Sequence, residues 1–152
     1  MIRVVEVTEI DDALVAAFAR LVPQLSATAP LLSREWLTSV VGAQGTTVLL
    51  ALIDRSGGRT GGEWDVVGTL TLVQFLIPTG ARAWIEDVVV DTTVRGLGVG
   101  AALVAGAVER ARASGARSVE LTSRPAREAA NRLYLRAGFE RRDTNVYRLN
   151  LS

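Results

Sequence analysis

The chain has 152 residues, 49% of them hydrophobic, enough for one domain around one core, and its net charge of +1 is far from the basic balance of a nucleic-acid binder. It contains no cysteine and no histidine, which excludes disulfides, thiolate nucleophiles, a serine–histidine triad and metal sites built on those ligands. All 17 basic residues are arginine, so acid–base chemistry falls to carboxylates, tyrosine and water, and with no ~20-residue apolar run and no signal-peptide core a cytoplasmic protein without membrane contact is expected.

Met1 to Val7 reads as a first strand. Thr8 and Asp11 precede a helix through Leu14, Val15, Phe18, Leu21 and Val22, whose spacing is helical, with Pro23 expected to end it. After a loop from Gln24 to Leu32, Ser33 caps a second helix carrying Trp36, Leu37, Val40 and Val41 and stopped by Gly42. Thr46 to Ile53 and Val66 to Leu76 are rich in strand formers and flank the polar stretch Asp54 to Asp65, a hairpin with a long, mobile tip. The turn Pro78-Thr79-Gly80 leads into Ala81 to Val90, completing an antiparallel meander. Val99 to Ser114 is an alanine-rich helix ended by Gly115, Ser118 to Thr122 a fifth strand, Ala126 to Ala137 a helix ended by Gly138, and Phe139 to Leu151 one or two closing strands. Only the step from the fourth strand through the long helix to the fifth reads as a parallel crossover.

The most informative stretch lies between the fourth strand and the long helix, from Asp91 through Arg95-Gly96-Leu97-Gly98-Val99-Gly100-Ala101. Its glycines let the backbone curl so that successive N–H groups face one concavity, and the helix that follows adds the positive end of its dipole. Such a place suits a pyrophosphate, with Arg95 at its rim. The same residues fit the G-x-G-x-x-G/A dinucleotide fingerprint, with Glu120 near the acidic position. A dinucleotide fold, however, repeats parallel strand–helix units, whereas this motif follows an antiparallel meander and leaves room for one such unit. Nine arginines from Arg110 to Arg142 make the C-terminal third basic, either as a solvated face or as a landing surface for a phosphorylated ligand.

Arg95, Gly98 and Gly100 match the coenzyme A loop R/Q-x-x-G-x-G/A, and Arg127 to Phe139, with Asn131, Leu133, Tyr134 and the closing Gly138-Phe139, matches a second motif; in both, the chain resembles the GNAT acetyltransferases. Leu133 departs from the phenylalanine common there. The resemblance implies an α/β (α+β) single domain over residues 1–152, with a mostly antiparallel mixed sheet of about six to seven strands and about four helices. Its fourth and fifth strands would splay apart to admit the pantetheine arm of acetyl-coenzyme A, which would pair with the backbone of Val88, Val89 and Val90 as an added strand does. The loop from Arg95 through Gly96, Leu97, Gly98, Val99, Gly100 and Ala101 would take the pyrophosphate. Asn131 would bond the coenzyme arm and Arg127 its phosphates. No metal is implied.

An alkyl ammonium of pKa about 10.4 is less than ~0.1% deprotonated at pH 7, so acyl transfer to an amine needs a base. The resemblance implies Glu86 in that role, directly or through water, with Asp87, expected on the opposite face of the strand, as second choice. Tyr134 would protonate the departing thiolate, and the backbone N–H of Val88 or Val89 would hold the oxyanion. The acceptor, a small-molecule or peptide amine, would lie near Pro23 to Ser33 and Leu76 to Arg82, with Gln24, Ser26, Arg34, Trp36 and Trp84 as liners. Apolar strand edges and Trp84 suggest a homodimer. Two other readings stand beside this one: a coenzyme A-binding module without catalysis, and a dinucleotide-binding oxidoreductase.

Overall fold

The computed structural model describes residues 1–57 and 62–152, in two compact units, Met1–Thr122 and Ser123–Ser152. The expected hairpin tip is thus described only at its ends, and residues 58–61 lie outside the described residues.

In the first unit the order is β1 (Ile2–Glu6), α1 (Asp12–Leu25), α2 (Arg34–Gly42), β2 (Thr46–Asp54), β3 (Trp64–Ile77), β4 (Gly80–Val90), a 3-10 turn (Thr92–Val94), α3 (Val99–Ala113) and β5 (Val119–Glu120). The strands form one sheet in chain order, antiparallel from β1 to β4 and parallel between β4 and β5. Alternation along β2 divides its side chains between two layers. Val48 and Leu50 join Leu14 and Phe18 of α1 and Leu37 of α2. On the face where α3 lies, a Cβ added to Gly68 of β3 would come within 3.1 Å of Leu103 and 3.2 Å of Val99. This close seat of helix on strand helps make Leu103 and Val99 almost wholly buried. Truncating a leucine buried as deeply as Leu70 or Leu103 to alanine costs about 2–5 kcal/mol.

Local signals set the helix ends. Asp11 accepts from Leu14 N at 2.8 Å and Ser33 from Trp36 N at 3.0 Å. Gly115, at φ 82°, ends α3, and the N–H of Ala116 returns to the Ala111 carbonyl at 3.0 Å. Such left-handed closures suit glycine, which has no Cβ to clash. Pro23 does not end α1 as expected but sits inside its last turn, with closure left to Ser26 N–H, which reaches the Val22 carbonyl at 3.0 Å. Proline removes its own donor and crowds the carbonyl four residues back, a disruption the helix tolerates near its end, where few further bonds remain to be made.

In the second unit α4 (Glu128–Arg136) ends at Gly138, φ 96°, where Phe139 N–H bonds the Tyr134 carbonyl at 3.0 Å. The closing strands expected over Phe139 to Leu151 are absent: no residue from 139 to 152 is in a ladder, and the sheet has five strands among the described residues rather than six or seven. Strand-forming residues make a strand only when another strand takes up their N–H and C=O groups. Val146, Tyr147, Leu149 and Leu151 are instead each more than 70% exposed. β5 is also shorter than the expected Ser118 to Thr122, because only Ala83↔Val119 and Trp84↔Glu120 pair with β4. No helix among the described residues is long and apolar enough to cross a membrane.

Candidate active site

The glycine loop begins at a buried carboxylate. Asp91, 6% exposed, follows β4 and accepts at Oδ1 from Thr93 N at 3.0 Å and from Thr93 Oγ1 at 2.9 Å. Its Oδ2 faces Arg20 Nε of α1 at 3.1 Å. The Thr93 N–H is the largest influence holding this carboxyl below its ordinary pKa; burial opposes it, and the Thr93 hydroxyl and the Arg20 charge add to the lowering. Gln24, expected as an acceptor liner, accepts at Oε1 from Thr92 N at 2.9 Å, so its carbonyl oxygen is engaged with the loop.

Past Arg95 the backbone turns through Gly96 and Gly98, at φ 82° and 85°, and a Cβ at either would meet nothing within 4 Å. Gly98 occupies the cap position of α3 with no side-chain bond. Its carbonyl accepts from Ala102 N, while the N–H groups of Val99, Gly100 and Ala101 find no protein acceptor among the described residues. Three unpaired donors at the start of a 15-residue helix, beside open left-handed glycines, form a surface on which an anion's oxygens fit. Leu97, 62% exposed, and Arg95 flank it.

β4 carries the next group. Its pairing with β5 stops at Trp84↔Glu120, so from Ile85 to Val90 the edge on that side has no strand partner among the described residues. The pairing ends because β5 itself ends at Glu120, where two diverging strands were expected. Against β3 the register runs Thr69↔Val89 and Thr71↔Glu86, so Asp87 and Val88 together oppose the single residue Leu70. Asp87 takes φ 49° in this bulge, a left-handed conformation that few side chains other than Asp and Asn adopt. The simple alternation that set Asp87 opposite Glu86 therefore does not run through it, and Glu86 and Val89 share a face. Glu86 is exposed and accepts from Trp84 Nε1 at 2.9 Å. Val89 is buried, while Val88 and Val90 are half-buried.

Among the other expected liners, Arg34 donates to the Ile10 carbonyl at 3.0 Å and pairs with Asp12, Ser26 Oγ lies 3.3 Å from Thr28 Oγ1, and Trp36 is 63% exposed. Arg20 was not foreseen, since nothing local marks one arginine on a helix as a partner for a residue 71 positions away. Asp91 could have been found: Asp-x-Thr opening a loop is a turn-capping pattern.

In the second unit, Arg127 stands at the cap of α4 and its carbonyl accepts from Asn131 N at 3.0 Å. Asn131 Nδ2 donates to the Arg124 carbonyl at 3.0 Å, so its side chain braces the entry to the helix. Tyr134, one turn on, is 9% exposed and its ring meets Phe139 edge-on, centroids 6.0 Å apart. Burial raises the phenol pKa above 10, opposed by the Arg127 charge. This hydroxyl is therefore a proton donor throughout the neutral range.

The model of the Acetyltransferase (GNAT) family matches residues 9–139. No curated protein matches the chain. An acetyltransferase from Trypanosoma brucei is 25% identical, with TM-score 0.73, covering 99% of this chain and 100% of its own. A protein described as a transcriptional regulator from Bacillus halodurans C-125 is 24% identical, with TM-score 0.75 and the same coverage. An aminoglycoside acetyltransferase from an uncultured soil metagenomic sample, solved in complex with sisomicin, is 17% identical, with TM-score 0.79, covering 98% of this chain and 96% of its own.

Proposed function

Because this chain belongs to the acetyltransferase (GNAT) family and is an acyltransferase enzyme, we propose that it moves an acetyl group from acetyl-coenzyme A to a primary amine by direct attack within a ternary complex. The observation that carries the reading is the pair of left-handed glycines, Gly96 and Gly98, leading into three unpaired N–H groups at the start of α3. A diphosphate supplies what those donors lack, and a side chain at either glycine would occupy the space it needs. We assign the residues from Arg95 to Ala101 to this contact, Val88 to Val90 to the pantetheine arm along the open edge of β4, and Arg127 and Asn131 to the phosphates and the arm.

In the chemistry we propose, Glu86 accepts the ammonium proton of the acceptor, directly or through water. Its Oε1 is tied to Trp84, which holds the carboxylate in one orientation and leaves Oε2 to act. The free amine forms a bond to the thioester carbon, and the N–H of Val88 or Val89 bonds the oxygen on which negative charge develops. As the carbon–sulfur bond breaks, Tyr134 gives its proton to the sulfur, a task suited to a phenol that burial keeps protonated, and the phenolate regains a proton from the nitrogen, which sheds it on becoming an amide.

For the acceptor we propose a small amine-bearing molecule or a peptide amine. A small molecule is supported by the soil aminoglycoside enzyme solved with sisomicin, which has the same fold. The family match spans both compact units, which supports one GNAT domain over residues 1–152. We further propose a cytoplasmic homodimer, supported by the β5 edge and by the exposed apolar side chains from Val146 to Leu151.

The test is thermal stabilisation by acetyl-coenzyme A against NAD, followed by free-thiol release over a panel of amines. A ligand at 100 times its Kd adds about 2.7 kcal/mol, or roughly 5–10 °C for a domain of this size. Stabilisation by acetyl-coenzyme A with thiol release carries the reading; a shift with NAD alone transfers it to a dinucleotide enzyme, and binding without thiol release to a silent module.

A further inference from the structure

Between the last turn of α1 and the base of the glycine loop lies a bracket of polar contacts. Arg20 and Gln24 stand four positions apart on α1, hence on one helix face, and Gln24 Nε2 bonds the Arg20 carbonyl at 3.2 Å. Arg20 Nε takes Asp91 Oδ2 at 3.1 Å, and its Nη2 donates to the Val66 carbonyl of β3. Gln24 Oε1 takes the Thr92 N–H at 2.9 Å. Asp91 Oδ1 takes the Thr93 N–H and hydroxyl, and Asp91 N–H itself bonds the Val67 carbonyl at 2.8 Å. Three successive residues, Asp91, Thr92 and Thr93, are each held, two of them directly by α1. Beyond Arg95 the chain turns through glycines with open space around them. Such a loop has a wide choice of conformations unless its base is fixed.

We infer that Arg20 and Gln24 are positioning residues: α1, on the side of the sheet away from α3, anchors the base of the loop that receives the coenzyme diphosphate. The inference rests on the acetyl-coenzyme A reading and adds to it a reason why a glycine-rich loop presents its N–H groups in one arrangement. Of the two residues, Gln24 isolates the effect, because it is neutral and its bond to Thr92 is exposed to solvent. Removing Arg20 would instead leave the buried Asp91 carboxylate without its countercharge.

The experiment compares Gln24→Leu, which removes the acceptor oxygen, with Gln24→Glu, which keeps one. In Gln24→Leu the Thr92 amide exchanges its hydrogen at least tenfold faster than in the wild type, the Kd for acetyl-coenzyme A rises about fivefold, and kcat at saturation and the amine KM stay within twofold. Gln24→Glu, which keeps the acceptor, returns the exchange rate to within twofold of wild type, which a merely space-filling side chain would not do. Unchanged Thr92 exchange in a folded Gln24→Leu protein overturns the anchor, whatever the ligand. A rise in the amine KM with an unchanged acetyl-coenzyme A Kd overturns it in favour of an acceptor contact. Wild-type protein that ignores acetyl-coenzyme A would overturn the parent reading, a result separate from the exchange measurement.

Discussion

The indole Nε1 of Trp84 lies 2.9 Å from Glu86 Oε1 and donates to it, joining two residues on one face of β4 just before its bulge. An exposed carboxylate ordinarily samples several rotamers, and this bond selects one without consuming the second oxygen. Beyond the pair, β4 loses its β5 neighbour, so the carboxylate stands at the start of an open strand edge.

If Glu86 is the base, Glu86→Gln lowers kcat/KM at pH 7 by about 10²-fold. The deficit shrinks as pH approaches the acceptor's own pKa, about 10 for an alkylamine, where the amine needs no help. A pH–rate profile of both proteins checks this, and a deficit that stayed level from pH 7 to 10 would remove Glu86 from the role.

Tyr134 has the opposite pH signature. Burial raises its pKa above the ordinary value, so the proton-bearing form prevails across the neutral range and is lost only as pH climbs through that raised value. In the proposed role of proton donor to the sulfur, its loss in Tyr134→Phe lowers kcat by about 10²-fold at pH 7. Single-turnover thiol release measures it, and a loss below threefold would reassign the phenol to packing.

Gly98 and Gly115 make a matched pair, at φ 85° and 82°, both with open space where a Cβ would go. Alanine at either costs about 1–2 kcal/mol of backbone strain, or roughly 2–8 °C in Tm. Under the proposed diphosphate contact only Gly98→Ala also raises the KM for acetyl-coenzyme A, because Gly115 closes the far end of α3. Equal KM values for the two variants would detach the loop from coenzyme binding.

Asp91 ties stability to acid. Its carboxyl is held below the ordinary value, chiefly by the Thr93 N–H, so it stabilises the fold above the unfolded pKa of about 3.9 and ceases to do so as pH falls through the lower folded one. Urea titrations of Asp91→Asn and wild type should differ by a constant amount from pH 6 to 8 and converge below about pH 4. A gap that widened in acid would contradict the assignment.

Much of the fold was legible because its signals are local. Ser33 before an apolar period, and Gly115 and Gly138 after one, act within four or five residues and mark helix ends wherever the chain goes. The loop from Arg95 to Ala101 was legible for the same reason, since a left-handed turn into a helix is specified by its own glycines. Pro23 misled because its effect depends on how much helix remains to be built. Phe139 to Leu151 misled because alternating apolar residues announce the capacity to pair and carry no information on whether a partner edge is within reach.

By itself, then, the order of residues determined the helices, the first four strands, the glycine loop, the absence of histidine and cysteine chemistry, and the tyrosine and glutamate offered in their place. Only the tertiary structure decided the bulge that gives Asp87 a positive φ and sets Glu86 on the face of Val89, and the joining of Arg20 and Gln24 to residues 71 and 68 positions away. Backbone preferences reach only as far as the next turn of helix or ladder pair, whereas such contacts arise when whole layers pack and bring remote polar groups together, where each buried one must find a partner.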